Sequence, residues 1–152
     1  MSKDCTRRCA LKGMGGFAAG TLMLRLVGCG DSSSSSGEPG GTATMCSGNL
    51  CLDLTDPANA ALANVGGSVI VDAPADTIVV IRTSTSTVTA LSAICTHQGC
   101  TVEFDANHSL LLCPCHGSEF AETGRVVQGP ARAPLRSYQA TLSGNQITVV
   151  LA

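Results

Sequence analysis

Three features of the sequence predict an all-β fold for residues 46–152. From Leu54 onward, short runs rich in β-branched residues recur at close spacing, separated by clusters of Gly, Pro, Asn, Asp and Ser. No stretch carries the apolar period of a long helix. Two compact Cys/His motifs, one starting at Cys95 and one at Cys113, stand a hairpin's length apart, so that one hairpin can present both as loops at the same end of a sheet.

Composition narrows the function classes early. A formal net charge of -2, no basic stripe and a single tyrosine argue against a nucleic-acid partner. The 152 residues allow one domain. Nine cysteines would be a liability in a reducing cytosol unless most of them have partners.

Taken in order, residues 1–29 have the pattern of an export signal. Thr6-Arg7-Arg8-Cys9-Ala10-Leu11-Lys12 resembles the twin-arginine motif, and a weakly apolar segment follows at 13–24. Twelve helical residues would span only about 18 Å, too short for the bilayer core. Leu26-Val27-Gly28-Cys29 resembles a lipobox, which implies cleavage before Cys29 and lipidation of that cysteine. An uncleaved signal anchor is the other reading of the same segment. Residues 30–45 are Ser/Gly-rich without apolar periodicity and read as a flexible linker. The expectation is an exported protein, lipid-anchored at the periplasmic or other extracytoplasmic face of a membrane.

In the domain, Asp56-Pro57 offers a cap and a first residue for a single helical turn. Strands are expected at 68–72 and 77–83, split by Asp72-Ala73-Pro74-Ala75-Asp76, and at 88–94, which leads into the first motif. Residues 101–104 and 109–112 form a hairpin around Asp105-Ala106-Asn107-His108, with His108 an exposed turn residue. Further strands are expected at 125–128, 135–142 and 147–151, the last two joined by Ser143-Gly144-Asn145. Cys46 and Cys51 can pair with each other once Cys5 and Cys9 leave with the signal, or stand as two free thiols or a redox pair.

The chemistry lies in CTHQGC, residues 95–100, and CPCHGSEF, residues 113–120. Cys95 and His97 form a C-x-H pair, and Cys113 and His116 a C-x-x-H pair. Two thiolates and two imidazoles can close a metal site from two loops, and structural zinc takes such a set tetrahedrally without needing Cys100 or Cys115. With those two cysteines included, the motifs resemble the paired cluster-binding motifs of Rieske iron–sulfur proteins of the disulfide-containing type.

That resemblance implies stacked antiparallel sheets with a cluster-binding subdomain formed by the two loops. It implies one 2Fe–2S cluster, with Cys95 and Cys113 on the inner iron, His97 and His116 on the outer iron, and a Cys100–Cys115 disulfide joining the loops. Gly129-Pro130-Ala131-Arg132-Ala133-Pro134 resembles the proline-containing loop that covers the cluster's other side. Ser118 matches the position whose hydroxyl donates to a cluster sulfide in high-potential members. Phe120 stands where those members have a tyrosine that donates to a cysteine sulfur. Gln98 replaces the leucine common in respiratory members and sets a polar group beside His97.

The ligand set has an electrostatic consequence. Two ferric ions and two sulfides sum to +2, so two thiolates and two neutral imidazoles give 0 oxidised and -1 reduced. Four thiolates would give -2 and -3, and the extra electron would be harder to add. The potential therefore lies at roughly -150 to +300 mV, against about -400 mV for four-cysteine clusters. The resemblance implies that each imidazole leaves its second nitrogen near solvent, which would couple electron uptake to protonation. No residue is expected to act as a nucleophile or hydrolytic base; the chemistry is the cofactor's. The function implied is a membrane-tethered electron carrier that works with redox protein partners. One such assembly is a quinol–cytochrome c reductase-type complex, with this chain as iron–sulfur subunit. The alternative is the small electron-transfer subunit of a periplasmic oxidase of the arsenite oxidase type.

Overall fold

The run Thr77-Ile78-Val79-Val80-Ile81 lacks the polar alternation of a half-exposed strand, as expected where apolar layers cover both faces. In the computed structural model, which describes residues 40–151, this run is the heart of strand β4 (Asp76–Arg82). Its four aliphatic side chains are fully buried and divide by parity. Ile78 and Val80 point into one apolar cluster, Val79 and Ile81 into another. The fold is three stacked antiparallel sheets, with the sheet containing β4 in the middle.

The middle sheet has the order β10 (Ser137–Tyr138), β5 (Val88–Ser92), β4, β3 (Ser68–Ala73). Pro74-Ala75 forms the two-residue turn of the β3–β4 hairpin, because Ala73 pairs with Asp76. On one side lies the sheet β1 (Thr44–Cys46), β2 (Asn49–Asp53), β12 (Gln146–Val149), β11 (Ala140–Ser143). Leu50, Leu52, Ile147 and Val149 of this sheet meet Val69, Val71, Ile78 and Val80. On the other side lies the sheet β6 (Glu103–Asp105), β7 (Leu110–Leu112), β8 (Glu119–Ala121), β9 (Val126–Gln128). Its Leu111 and Phe120 share the second cluster with Leu91, Cys95 and Cys113. The strands at 68–73, 76–82, 88–92 and 126–128 fall within a residue or two of expectation.

Several elements differ from the sequence-based expectation. The helical turn at Asp56-Pro57 is a seven-residue 3-10 helix, Pro57–Ala63, capped by the Asp56 carboxylate, which accepts from the Ala58 N–H. The single strand expected over 135–142 is two strands in different sheets. β10 pairs with β5 and β11 with β12, and the chain changes layer at Gln139 between them. Strands β1, β2 and β8 were not expected. Ser47 and Gly48, both at positive φ, make a two-residue turn between β1 and β2, a turn type that matches the strand twist.

The expected linker 30–45 overlaps the fold at its end. Gly41 N–H donates to the Ile70 carbonyl, and Thr42 N–H donates to Asn59 Oδ1. Asn59 is fully buried, and its Nδ2 donates to the Thr42 and Asp53 carbonyls. This side chain fastens the entering chain to β2 and the 3-10 helix, so ordered structure starts before residue 46. The signal expected at 1–29, with Arg7, Arg8 and Cys29, lies outside the described residues, as does most of the linker. Among the described residues, no helix is long and apolar enough to cross a membrane.

Candidate metal centre

Both Cys/His motifs fold by one local rule. Cys95 N–H donates to the Cys100 carbonyl, and Gly99 N–H donates back to the Cys95 carbonyl. Cys113 N–H donates to the Ser118 carbonyl, and Gly117 N–H donates back to the Cys113 carbonyl. Each loop thus closes on its leading cysteine, with a glycine four residues on at φ 78° and 72° respectively. A side chain at that φ would be strained, which explains the glycine in both motifs. The C-x-x-x-G spacing was visible in the sequence and would have identified the two loops as structural repeats.

The loops emerge at one end of the β6–β9 sheet. The first lies between β5 and β6 and is closed at its base by a bridge between Ile94 and Thr101, and the second links β7 to β8. Cys100 and Cys115 form a disulfide between them, with Cα atoms 6.5 Å apart. The other pair, Cys46–Cys51, is also a disulfide, across the β1–β2 hairpin. Cys95 and Cys113 are free thiols and almost wholly buried. The hairpin turn at the far end carries His108, which is exposed and contacts Asp105 at 2.7 Å, as expected of a turn residue.

The environment of the two thiols favours negative sulfur at Cys95. Burial pushes the Cys95 thiol up, but four donors reverse this. The backbone N–H of His97, the Cys113 thiol, the Ser118 hydroxyl and the backbone N–H of Gln98 together hold Cys95 below the ordinary thiol range. Cys113 is pushed above that range by its own burial and by donating to the Cys95 sulfur. The first negative charge therefore settles on Cys95, and a metal that displaces the remaining proton would complete the pair.

The imidazoles form the outer half of the site. His97 and His116 stand edge to face, with ring centroids 4.9 Å apart, His116 exposed and His97 half-buried. Nδ1 of His97 is buried and has no hydrogen-bond partner. Such an orphan is costly unless something else satisfies it. Among the described residues, no three Cys, His, Asp or Glu side chains gather as a group able to hold one metal ion. The donors stand instead as a buried thiol pair and an outer imidazole pair. The two pairs are a donor set that would fit a group with two metals.

A third segment, residues 129–134, braces both loops. Ala131 N–H donates to Ser118 Oγ at 3.0 Å, and Thr96 Oγ1 donates to the Ala133 carbonyl at 2.6 Å. Gln128 Nε2 donates to the Gly117 carbonyl. Pro130 and Arg132 line a cleft of about 410 Å³ with Thr96 and His97. Ser118 and Phe120 are fully buried, and Gln98 is exposed beside His97. Sequence reasoning missed Thr96 and Gln128 and saw Arg132 only as part of the covering loop, because their contacts come from residues remote in the chain.

The comparisons with known proteins agree with this geometry. The family model for the Rieske [2Fe-2S] domain matches residues 58–139. The cytochrome b6-f complex iron-sulfur subunit of Chlorobaculum tepidum is 38% identical over 77 residues, 51% of this chain and 42% of that protein. The same subunit from a Synechococcus species is 46% identical over 57 residues, 38% of this chain and 33% of that protein. The chain thus spans less than half the length of these curated relatives. Among solved structures, the cyanobacterial plasma membrane Rieske protein PetC3 from Synechocystis is 36% identical. That match covers 54% of this chain and 84% of that one, with a TM-score of 0.51.

Proposed function

The chain belongs to the Rieske [2Fe-2S] family of electron-transfer proteins, which bind a 2Fe–2S cluster, and we propose that Cys95 and Cys113 hold the inner iron and His97 and His116 the outer. The observation that carries the assignment is the orphaned, buried Nδ1 of His97 together with two buried thiols that have no disulfide partner among the described residues. When bound, the cluster supplies one-electron transfer. The chain's own residues set its conditions. Backbone N–H groups of His97 and Gln98 and the Ser118 hydroxyl stabilise negative charge on Cys95. Phe120 closes the core beside both cysteines without a hydroxyl.

In the cell the protein works as an exported electron carrier, anchored by lipid at Cys29, within a quinol-oxidising complex. The twin-arginine-like and lipobox-like segments support the first part. The similarity to cytochrome b6-f iron–sulfur subunits supports the second. Reductive titration tests the core of the proposal. The purified protein should take up one electron per chain. His97→Ala should abolish that uptake; a variant that still titrates normally would refute the assignment.

A further inference from the structure

The surface beside His97 is cationic and polar where an apolar docking face would have been needed for an apolar partner. The cleft next to this imidazole is lined by Thr96, His97, Pro130 and Arg132. Among the described residues, the only fixed formal charge in that lining is Arg132, and it is positive. Arg132 is exposed, and none of the hydrogen bonds or ion pairs among the described residues ties its guanidinium to an acceptor. Gln98, also exposed, adds a second uncommitted polar side chain from the first Cys/His loop. The Thr96 hydroxyl is already used on Ala133, which fixes the cleft's shape and leaves recognition to the charge. A guanidinium has five donors and a permanent charge, and is suited to carboxylates.

We infer that Arg132 selects the electron-exchange partner. The His97–Arg132 cleft receives a redox protein through a carboxylate-bearing, acidic face, and the pair is drawn together by charge. This rests on the proposed ligation of the cluster by His97. The chain as a whole is weakly acidic, with a net charge of -2, so the local cation at the electron-exchange face, and not overall charge, steers the encounter. Electrostatic steering of this kind is strongest at low salt.

Two outer-sphere oxidants of opposite charge, ferricyanide and tris(phenanthroline)cobalt(III), test the local charge. Each takes one electron from the reduced protein in stopped flow. Arg132→Gln should slow ferricyanide by about fivefold at low ionic strength and speed the cobalt cation, while Arg132→Lys should behave as wild type. A change in driving force would move both oxidants the same way, so opposite shifts identify docking charge. A second readout needs no electron transfer. The Arg132 Nε–H resonance of nitrogen-labelled protein should move on adding redox-inert hexacyanocobaltate(III) and stay in place with hexaamminecobalt(III). The visible spectrum of each variant checks that the cluster is loaded. Unchanged rates and an unmoved resonance in loaded protein overturn the docking inference alone. Failure of the wild type to bind a cluster overturns the functional proposal and this inference with it.

Discussion

Ser118→Ala should lower the reduction potential, and the structure sets the size of the effect. Ser118 is fully buried, and its Oγ accepts from the Ala131 N–H at 3.0 Å. Its own proton is therefore free to donate, and the Cys95 sulfur is the acceptor that feels it. A hydrogen bond to a charged group is worth roughly 1.5–3 kcal/mol in total. Only the part that differs between oxidised and reduced states enters the potential. That part is about 1 kcal/mol, equivalent to about 40 mV for one electron. Because the reduced state is the more negative, losing the donor disfavours it and the potential falls. Phe120→Tyr should act in the opposite direction by a similar amount, because it returns a hydroxyl to a buried position beside both cysteines. The assay is voltammetry of the three proteins at one pH. Ser118→Ala also strands the Ala131 N–H, at about 1–3 kcal/mol of stability, which denaturant unfolding reads separately. A destabilised Ser118→Ala with an unchanged potential would refute the tuning argument and leave Ser118 as a brace for the 129–134 segment.

The remaining predictions concern cross-links, pH and anchoring. Cys100→Ala opens a disulfide with a sequence separation of 15, worth about 3 kcal/mol by chain entropy. The cluster should still assemble but be lost at lower denaturant; complete failure to assemble would show that the disulfide builds the site. Tyr138 donates to Asp76 at 2.5 Å, and burial followed by that carboxylate pushes its pKa up to about 12. The unfolded chain releases this proton near 10, so between about 10 and 12 the folded state binds more protons. Stability is then complete below that window and falls as pH rises through it. As the chain has one tyrosine and no tryptophan, phenolate absorbance reads this group directly, and an ordinary midpoint would contradict the Asp76 contact. Mass spectrometry of the native N-terminus should find lipidated Cys29 as the first residue; an intact segment 1–28 would rule out the anchor.

The legible parts of this protein were those written in local pattern. The β-branched run at 77–83 announced a strand, and Asp72-Ala73-Pro74-Ala75-Asp76 announced the turn before it, because strand propensity and turn geometry act on neighbouring residues. The two Cys/His loops were legible because thiol and imidazole donors are few in kind and their spacing here is short. What stayed hidden depends on remote partners. The 135–142 run looks continuous, but its two ends pair with different sheets, a tertiary choice that strand propensity does not encode. Strand β8 was masked by its place inside the second motif, where Glu119-Phe120-Ala121 pairs with Leu110–Leu112. Asn59 looked like an ordinary polar residue near a turn, yet three hydrogen bonds bury it completely. Arg132 acquires its place beside His97 only through the folding of residues 129–134 over the first loop.

The identity of the metal group decides the central claim. Two buried thiols, two outer imidazoles and an orphaned His97 Nδ1 call for two metals held in pairs. Elemental and acid-labile sulfide analysis of the purified protein should therefore find two irons and two sulfides per chain, and neither in Cys113→Ala. Stoichiometric zinc with no iron or labile sulfide would contradict it.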